Sequence, residues 1–407
     1  MFDFGLILFY LGTFLTLFLG IFYLITFFDN KALLRDPKIK RFPTISIIVP
    51  AYNESRTICR TLESLRALNY PQNKLEIIVV NDGSTDDTYA IAQSFRGVRV
   101  LTKTNGGKGS AINFGLRHAT SELMAVMDAD SFVSRNALRK MIGHFRRDSI
   151  MAVTPTLKVH NPKGFWQQIQ YVEYLFSVLF RKIFAFLQSV YVTPGPFSIY
   201  RKSFFDKHGG FDEANITEDL EIALRIQSLG YEIENSINAE VFTVAPSNFR
   251  DLLRQRVRWY SGVVNNMWQY RRMFTPRNGN LGIFVLPVAV ISVVLALAYL
   301  SYYGISFAQT VADGFQQMYL INFDMAGVAA NYVEHFSILR WINPISMLAV
   351  LLIMFMLIMF GIAKLYSRDK ARVGGGLVLY TFTYGLIFSA FWFTTLAYKL
   401  FQLRVRW

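Results

Sequence analysis

The chain has 407 residues, is 53% hydrophobic and carries a formal charge of +14. This composition excludes intrinsic disorder and allows a soluble core beside membrane segments. The single cysteine, Cys59, excludes an internal disulfide and a cysteine-cluster metal site, and the five histidines lack ligand spacing. Much of the positive charge flanks apolar runs, where attraction to membrane lipid accounts for it, so nucleic acid is not an expected partner.

The first apolar run, residues 4–28, lacks a basic n-region and a small-residue cleavage site, so residues 1–29 read as a retained transmembrane anchor. The basic tract "NKALLRDPKIKR" follows it, which by the positive-inside rule puts the N-terminus outside and the next segment in the cytoplasm. From Ile45 onward short β-branched runs alternate with helical patterns, the signature of a mostly parallel, Rossmann-like α/β sheet. "ISIIVPAYN" reads as a buried strand. The following helix carries Ile58, Leu62, Leu65 and Leu68 on one face, and Cys59 is expected in the packed core.

Further strands are expected at "LEIIVVNDGS", "VRVLTK" and "ELMAVMDAD". Each ends in polar residues or leads into glycines: Glu54 after the first strand, Asp82 after the second, "TNGGKGS" with Lys108 after the third, Asp128 and Asp130 after the fourth. Ligands of such sheets bind outside the carboxyl ends of the strands. Lys108 among glycines at a helix start suits a phosphate, although the spacing is neither a P-loop nor a dinucleotide fingerprint. Two carboxylates one residue apart suit Mg²⁺ or Mn²⁺ completed by substrate phosphates.

Residues 164–187 are apolar but broken by glutamines, Glu173 and Arg181, so they read as an interfacial helix and not a span. Thr217, Glu218 and Asp219 open another helix, with Thr217 as N-cap and a carboxylate available as a general base. In "LLRQRVRWYSG" the arginines around the motif, Arg256 among them, are expected at lipid headgroups on an interfacial helix over 251–275. Spans are expected at 281–307, 344–363 and 377–398 within a transmembrane region 281–400. The soluble part is bounded at 44–250.

The ordered set "NDGS", "DAD", "TED" and "QRVRW" resembles membrane-bound, processive family 2 glycosyltransferases, such as poly-N-acetylglucosamine, hyaluronan, chitin and cellulose synthases. The resemblance implies a GT-A fold and inverting transfer from a nucleotide-diphospho sugar, a UDP-sugar such as UDP-GlcNAc, to a glycan or lipid acceptor, with Mg²⁺ or Mn²⁺ as cofactor. It further implies an integral, multi-pass plasma-membrane enzyme. By that resemblance Ala51, Tyr52, Glu54, Asp82, Lys108, Asp128 and Gln255 would hold the donor nucleotide, with Asp130 and Asp128 at the metal. Asp219 would be the base and Arg258 would stabilise the leaving diphosphate. Trp259, Gly195 and Glu218 would meet the acceptor.

Gly195 and Pro196 look more like the hyaluronan and chitooligosaccharide synthases, while "TED" looks more like the cellulose and poly-N-acetylglucosamine enzymes. N-acetylglucosamine is the expected sugar. Single transfer to a lipid remains an alternative, since glycolipid synthases carry the same motif set, and a transporter or receptor with a nucleotide-sensing domain is a remote one. Four spans are few for a polysaccharide pore, so further helices are expected from a second copy, a partner or the loop 308–343.

Overall fold

A computed structural model describes residues 4–328, 342–369, 371, 373 and 375–403. The chain opens with helix α1 (Phe4–Asp29) and then builds an eight-stranded mixed sheet. In chain order the elements are β1 (Ile45–Ala51), α2 (Ile58–Arg66), β2 (Leu75–Asn81), α3 (Thr88–Gln93), β3 (Val98–Thr102), α4 (Lys108–His118), β4 (Leu123–Val126), β5 (Ser131–Val133), α5 (Ala137–Ile142) and β6 (Ile150–Val159). There follow α6 (Gly164–Phe186), β7 (Ser198–Arg201), α7 (Lys202–His208), α8 (Glu218–Ser228), β8 (Glu232–Thr243) and α9 (Phe249–Gln269).

The strand order is β3-β2-β1-β4-β7-β6-β8-β5. The first four strands are parallel, while β7 pairs antiparallel with both β4 and β6, and β5 antiparallel with β8. The sheet is therefore more mixed than βα alternation alone predicts. Because β2 and β3 lie on one side of β1 and β4 on the other, the order reverses between β1 and β4. That reversal opens a crevice at their carboxyl ends.

Strand periodicity explains why both faces are dry. Ile45, Ile47 and Val49 of β1 face α2 and α5, packing on Leu62, Leu65 and Met141, whereas Ile48 faces α4, α7 and α8. Cys59 departs from its expected core position: it is exposed, its Sγ near Glu63. Ile58, Leu62 and Leu65 define the buried face, and one residue of helical rotation swings Cys59 off it.

Among the described residues four helices are long and apolar enough to cross a membrane: α1, Leu281–Leu320, α11 (Pro344–Ser367) and α12 (Gly376–Leu400). The second opens with a turn of π-helix at Leu281–Val285 and continues as α10 (Leu286–Leu320). It runs past the apolar stretch that ends near Phe307, because Gln309 through Leu320 keep helix-forming residues where hydropathy alone fades. Residues 329–341, part of the loop 308–343, and residues 404–407 lie outside the described residues.

Helix α6 joins sheet to membrane helices. Its apolar face, Val172, Leu175, Phe176 and Leu179, packs with Phe27 of α1 and Phe360 of α11. The polar residues that interrupt its apolar run bond instead to the catalytic side: Gln170 Nε2 to Pro246 O at 2.9 Å and Lys182 Nζ to Asn235 O at 2.8 Å. These bonds from Gln170 and Lys182 seat the helix under the domain; in hydrocarbon both donors would be unpaired.

Candidate active site

The crevice assembles from strand ends stitched together by turn chemistry. Ala51, the last residue of β1, is buried, Tyr52 just past it is exposed, and Asn53 takes a left-handed φ of 56°. Its Oδ1 accepts from Thr85 N at 2.8 Å, and its own N–H donates to Ser84 Oγ at 3.0 Å, so the turns after β1 and β2 hold each other. Gly83 has φ of 74°, and a Cβ there would stand 2.9 Å from Asn105 N, so that turn accepts only glycine.

Asp82 is 3% exposed, and its carboxylate is engaged by the protein itself. It accepts from Lys103 Nζ at 2.7 Å and from the backbone N–H groups of Gly106 and Gly107, the latter at 2.8 Å. Asp82 thus acts as a latch that fixes the glycine turn leading into α4. Lys103 belongs to none of the motifs, and its only signal in the sequence is its place just past β3 at the same sheet edge.

At the start of α4, Lys108 Nζ lies 2.7 Å from Asp128 Oδ1 and 2.9 Å from Glu218 Oε1. Burial opposes its charge, but Asp128 and Glu218 outweigh that and hold the ammonium above its usual range. One lysine therefore ties α4, the loop after β4 and the start of α8. Gly195 closes over this pair: a Cβ there would stand 2.5 Å from Lys108 Nζ and 2.8 Å from Asp128 Oδ2.

Asp219 lies beside this cluster on the first turn of α8. Burial, then the Glu218 charge, push its carboxyl up to about 6, against the pull of Lys108 and Arg258. Its backbone carbonyl is held by Thr193, whose hydroxyl donates at 2.8 Å. Thr217 occupies the N-cap position without capping; its hydroxyl instead accepts from Asn266 Nδ2 at 3.0 Å. Helix α9 reaches α8 this closely because Gly262 carries no side chain: a Cβ there would collide with Thr217 Oγ1. Neither Asn266 nor Gly262 stood out in the sequence.

Of the α9 motif, Arg258 and Trp259 are half-buried, and Gln255 Oε1 is buried without a hydrogen-bond partner among the described residues. Arg256 is not at the headgroups as expected. It is 3% exposed and forms a two-pronged bond with Glu173, at 2.9 and 2.8 Å. A residue on α6 supplies the counter-charge, which local sequence does not reveal.

The donor set fits a divalent cation completed by phosphate oxygens. Burial and then the neighbouring Asp128 raise the Asp130 carboxyl above its ordinary value. Burial raises Glu54 as well, with Asp130 and Asp128 adding to it against the Thr57 hydroxyl. This crowd of carboxylates carries more negative charge than Lys108 balances, and a cation would relieve it. Among the described residues no group of three or more His, Cys, Asp or Glu is arranged to hold a metal by itself. Asp128 and Asp130 with substrate phosphates remain the suitable donors.

Residues 46–209 match the model of the glycosyl transferase family 2 domain. A poly-beta-1,6-N-acetyl-D-glucosamine synthase from Staphylococcus epidermidis is 29% identical over 287 residues, 67% of this chain and 68% of the relative. The synthase of that name from Staphylococcus aureus is 31% identical over 56% of each chain. The chain carries a glycosyl transferase family 2 domain and is a glycosyltransferase. Its fold is also that of a solved mannosyltransferase from Pyrobaculum calidifontis in complex with GDP-Man and Mn2+, with a TM-score of 0.53 at 21% identity, over 88% of this chain and 99% of the other. The glycosyltransferase thus has a GT-A sheet whose carboxyl-end crevice holds Glu54, Asp82, Lys108, Asp128, Asp130, Glu218 and Asp219.

Proposed function

We propose that the enzyme polymerises N-acetylglucosamine from UDP-GlcNAc into a β-linked polysaccharide with inversion at the sugar. The observation that carries this reading is the cluster in which Lys108 Nζ meets Asp128 at 2.7 Å and Glu218 at 2.9 Å beside Asp219, whose carboxyl burial and the Glu218 charge push up to about 6. A buried carboxylate near that value is matched to accepting a proton from a hydroxyl around neutral pH. The names of the similar synthases support the choice of sugar and polymer.

In this mechanism Asp219 takes the acceptor hydroxyl proton. The acceptor oxygen bonds to the sugar's anomeric carbon as the bond from that carbon to the diphosphate oxygen breaks, and the electron pair leaves with the diphosphate. The Arg258 guanidinium accommodates that developing charge through its fork of donors. Lys108 holds in place both Asp128, on the donor side, and Glu218, which meets the acceptor. Ala51, Tyr52, Glu54, Asp82, Asp128 and Gln255 shape the nucleotide side, while Trp259 and Gly195 border the acceptor. A divalent cation, Mg²⁺ or Mn²⁺, held by Asp130 and Asp128 would neutralise phosphate charge.

The division into an anchor at 1–29, a catalytic part at 44–250, an interfacial helix at 251–275 and a membrane region at 281–400 belongs to this proposal. So do the outside N-terminus and the cytoplasmic site, which rest on the basic tract after α1. Product would pass outward between the membrane helices.

A second reading, transfer of one sugar to a lipid, draws on the count of four spanning helices among the described residues. The test is purified protein in nanodiscs with labelled UDP-sugars and Mg²⁺ or Mn²⁺, followed by product sizing. A ladder of long products from UDP-GlcNAc establishes the polymerase. One sugar in the organic-solvent fraction establishes the lipid transferase.

A further inference from the structure

We infer that Glu173 and Arg256 are a positioning pair for Trp259. This rests on the proposal above that Trp259 borders the acceptor. Arg256 lies three residues before Trp259 on α9, so the two side chains share one helix face. The Arg256 guanidinium sits over the indole, its Cζ 4.4 Å from the ring centroid. Both of its outer nitrogens are bound by Glu173 of α6, at 2.9 and 2.8 Å, and the arginine is 3% exposed.

A bidentate arginine fork has one orientation, because the planar guanidinium must lie in the plane of the carboxylate it meets. Glu173 therefore fixes the plane of the guanidinium, which lies over the Trp259 ring. The next residue is fixed from the other direction: Tyr260 stacks on Trp392 of α12, centroids 4.5 Å apart and planes 10° from parallel. This stretch of α9 is thus tied to α6 through Arg256, which lies over the indole, and to α12 through Tyr260.

A lysine at 256 would keep the charge and lose both the two-pronged bond to Glu173 and the guanidinium's place over the indole. A surface arginine serving lipid headgroups would have neither a buried partner nor a ring beneath it. Arg256 touches no reacting atom in this arrangement; it acts through Trp259.

Arg256→Lys and the double variant Glu173→Gln, Arg256→Gln are tested in nanodiscs with UDP-GlcNAc as donor and short N-acetylglucosamine oligomers as acceptor. The expected result is an acceptor KM raised roughly ten- to thirtyfold, the factor a desolvated cation–π contact is worth. Donor KM and kcat stay within about threefold, because ground-state placement of the acceptor is what is lost. A merely structural tether would lower the melting temperature and leave the acceptor KM alone. Glu173→Gln, Arg256→Gln removes the buried charges together, so it is the variant that reads the effect should Arg256→Lys fold poorly.

The emission spectrum of each protein minus that of its Trp259→Phe counterpart reads the indole's surroundings without any substrate. A red-shifted difference spectrum in both variants supports the inference. A folded variant with unchanged difference spectrum and unchanged acceptor KM overturns it. If wild type transfers nothing to the oligomers, the acceptor reading fails, and the difference spectrum still decides the pair's role.

Discussion

Replacing Asp219 by asparagine should lower activity and raise stability together. Burial and the adjacent Glu218 raise this carboxyl from 3.8 to about 6, with Lys108 and Arg258 pulling the other way. That shift penalises the ionised form in the folded state by about 3 kcal/mol. A carboxyl whose folded pKa is raised contributes its favourable protonation below about 3.8, and loses it as pH climbs through about 6. At pH 8 wild type therefore carries the whole penalty, and Asp219→Asn, nearly isosteric and uncharged, relieves it. The variant should be the more stable by up to about 3 kcal/mol at pH 8, with the difference closing toward pH 4.

Turnover should move in the opposite direction. Loss of a general base costs roughly 10²- to 10⁴-fold, while donor affinity should stay near wild type because Asp219 enters on the acceptor side. Wild-type kcat/KM should climb with pH up to about 6 and then level, and the residual activity of Asp219→Asn should lack that limb. Thermal unfolding in nanodiscs at two pH values and nucleotide release across pH measure both effects. An Asp219→Asn enzyme that keeps turnover, or one that is less stable at pH 8, would refute the reasoning.

Lys108→Met removes a cation that restrains Asp219 and bonds Asp128 and Glu218, so the acidic limb of the pH profile should move to higher pH and donor KM should rise; an unmoved limb contradicts the coupling. Gly195→Ala puts a methyl 2.5 Å from Lys108 Nζ; overpacking there should cost about 1–3 kcal/mol and reduce kcat, as calorimetry and turnover would record. Asp82→Asn weakens charge-assisted bonds to Lys103 and the Gly106–Gly107 turn, and hydrogen exchange should show that turn opening more often while donor affinity drops. Chelation should abolish turnover reversibly on adding back Mn²⁺ or Mg²⁺, and Asp130→Asn should raise the cation concentration needed for half-maximal rate.

Several features follow from order along the chain alone. Strand and helix periods in 45–130 place Ile47 and Ile48 on opposite faces, and every strand that ends in Glu54, Asp82 or Asp128 delivers a carboxylate to one sheet edge. These are readable because they depend on neighbours within a turn or a strand, and because parallel connections oblige strand ends to gather. Apolar length likewise marks the four candidate spans without reference to any packing.

Other features required the folded chain. Arg256 reads as one more headgroup arginine until Glu173, far away in sequence, is brought against it. Asp82 reads as a free ligand until Lys103 and two backbone N–H groups fill its lone pairs. Cys59 reads as core until the helix is rotated onto its true face. Gly262 reads as neutral until α9 closes on Thr217. Local sequence determines which groups are available and which way each element turns them. Their partners, and with them the charge balance around Asp219, are decided by contacts between segments distant in the chain, because only burial against a specific neighbour sets the electrostatic energy of a charged group.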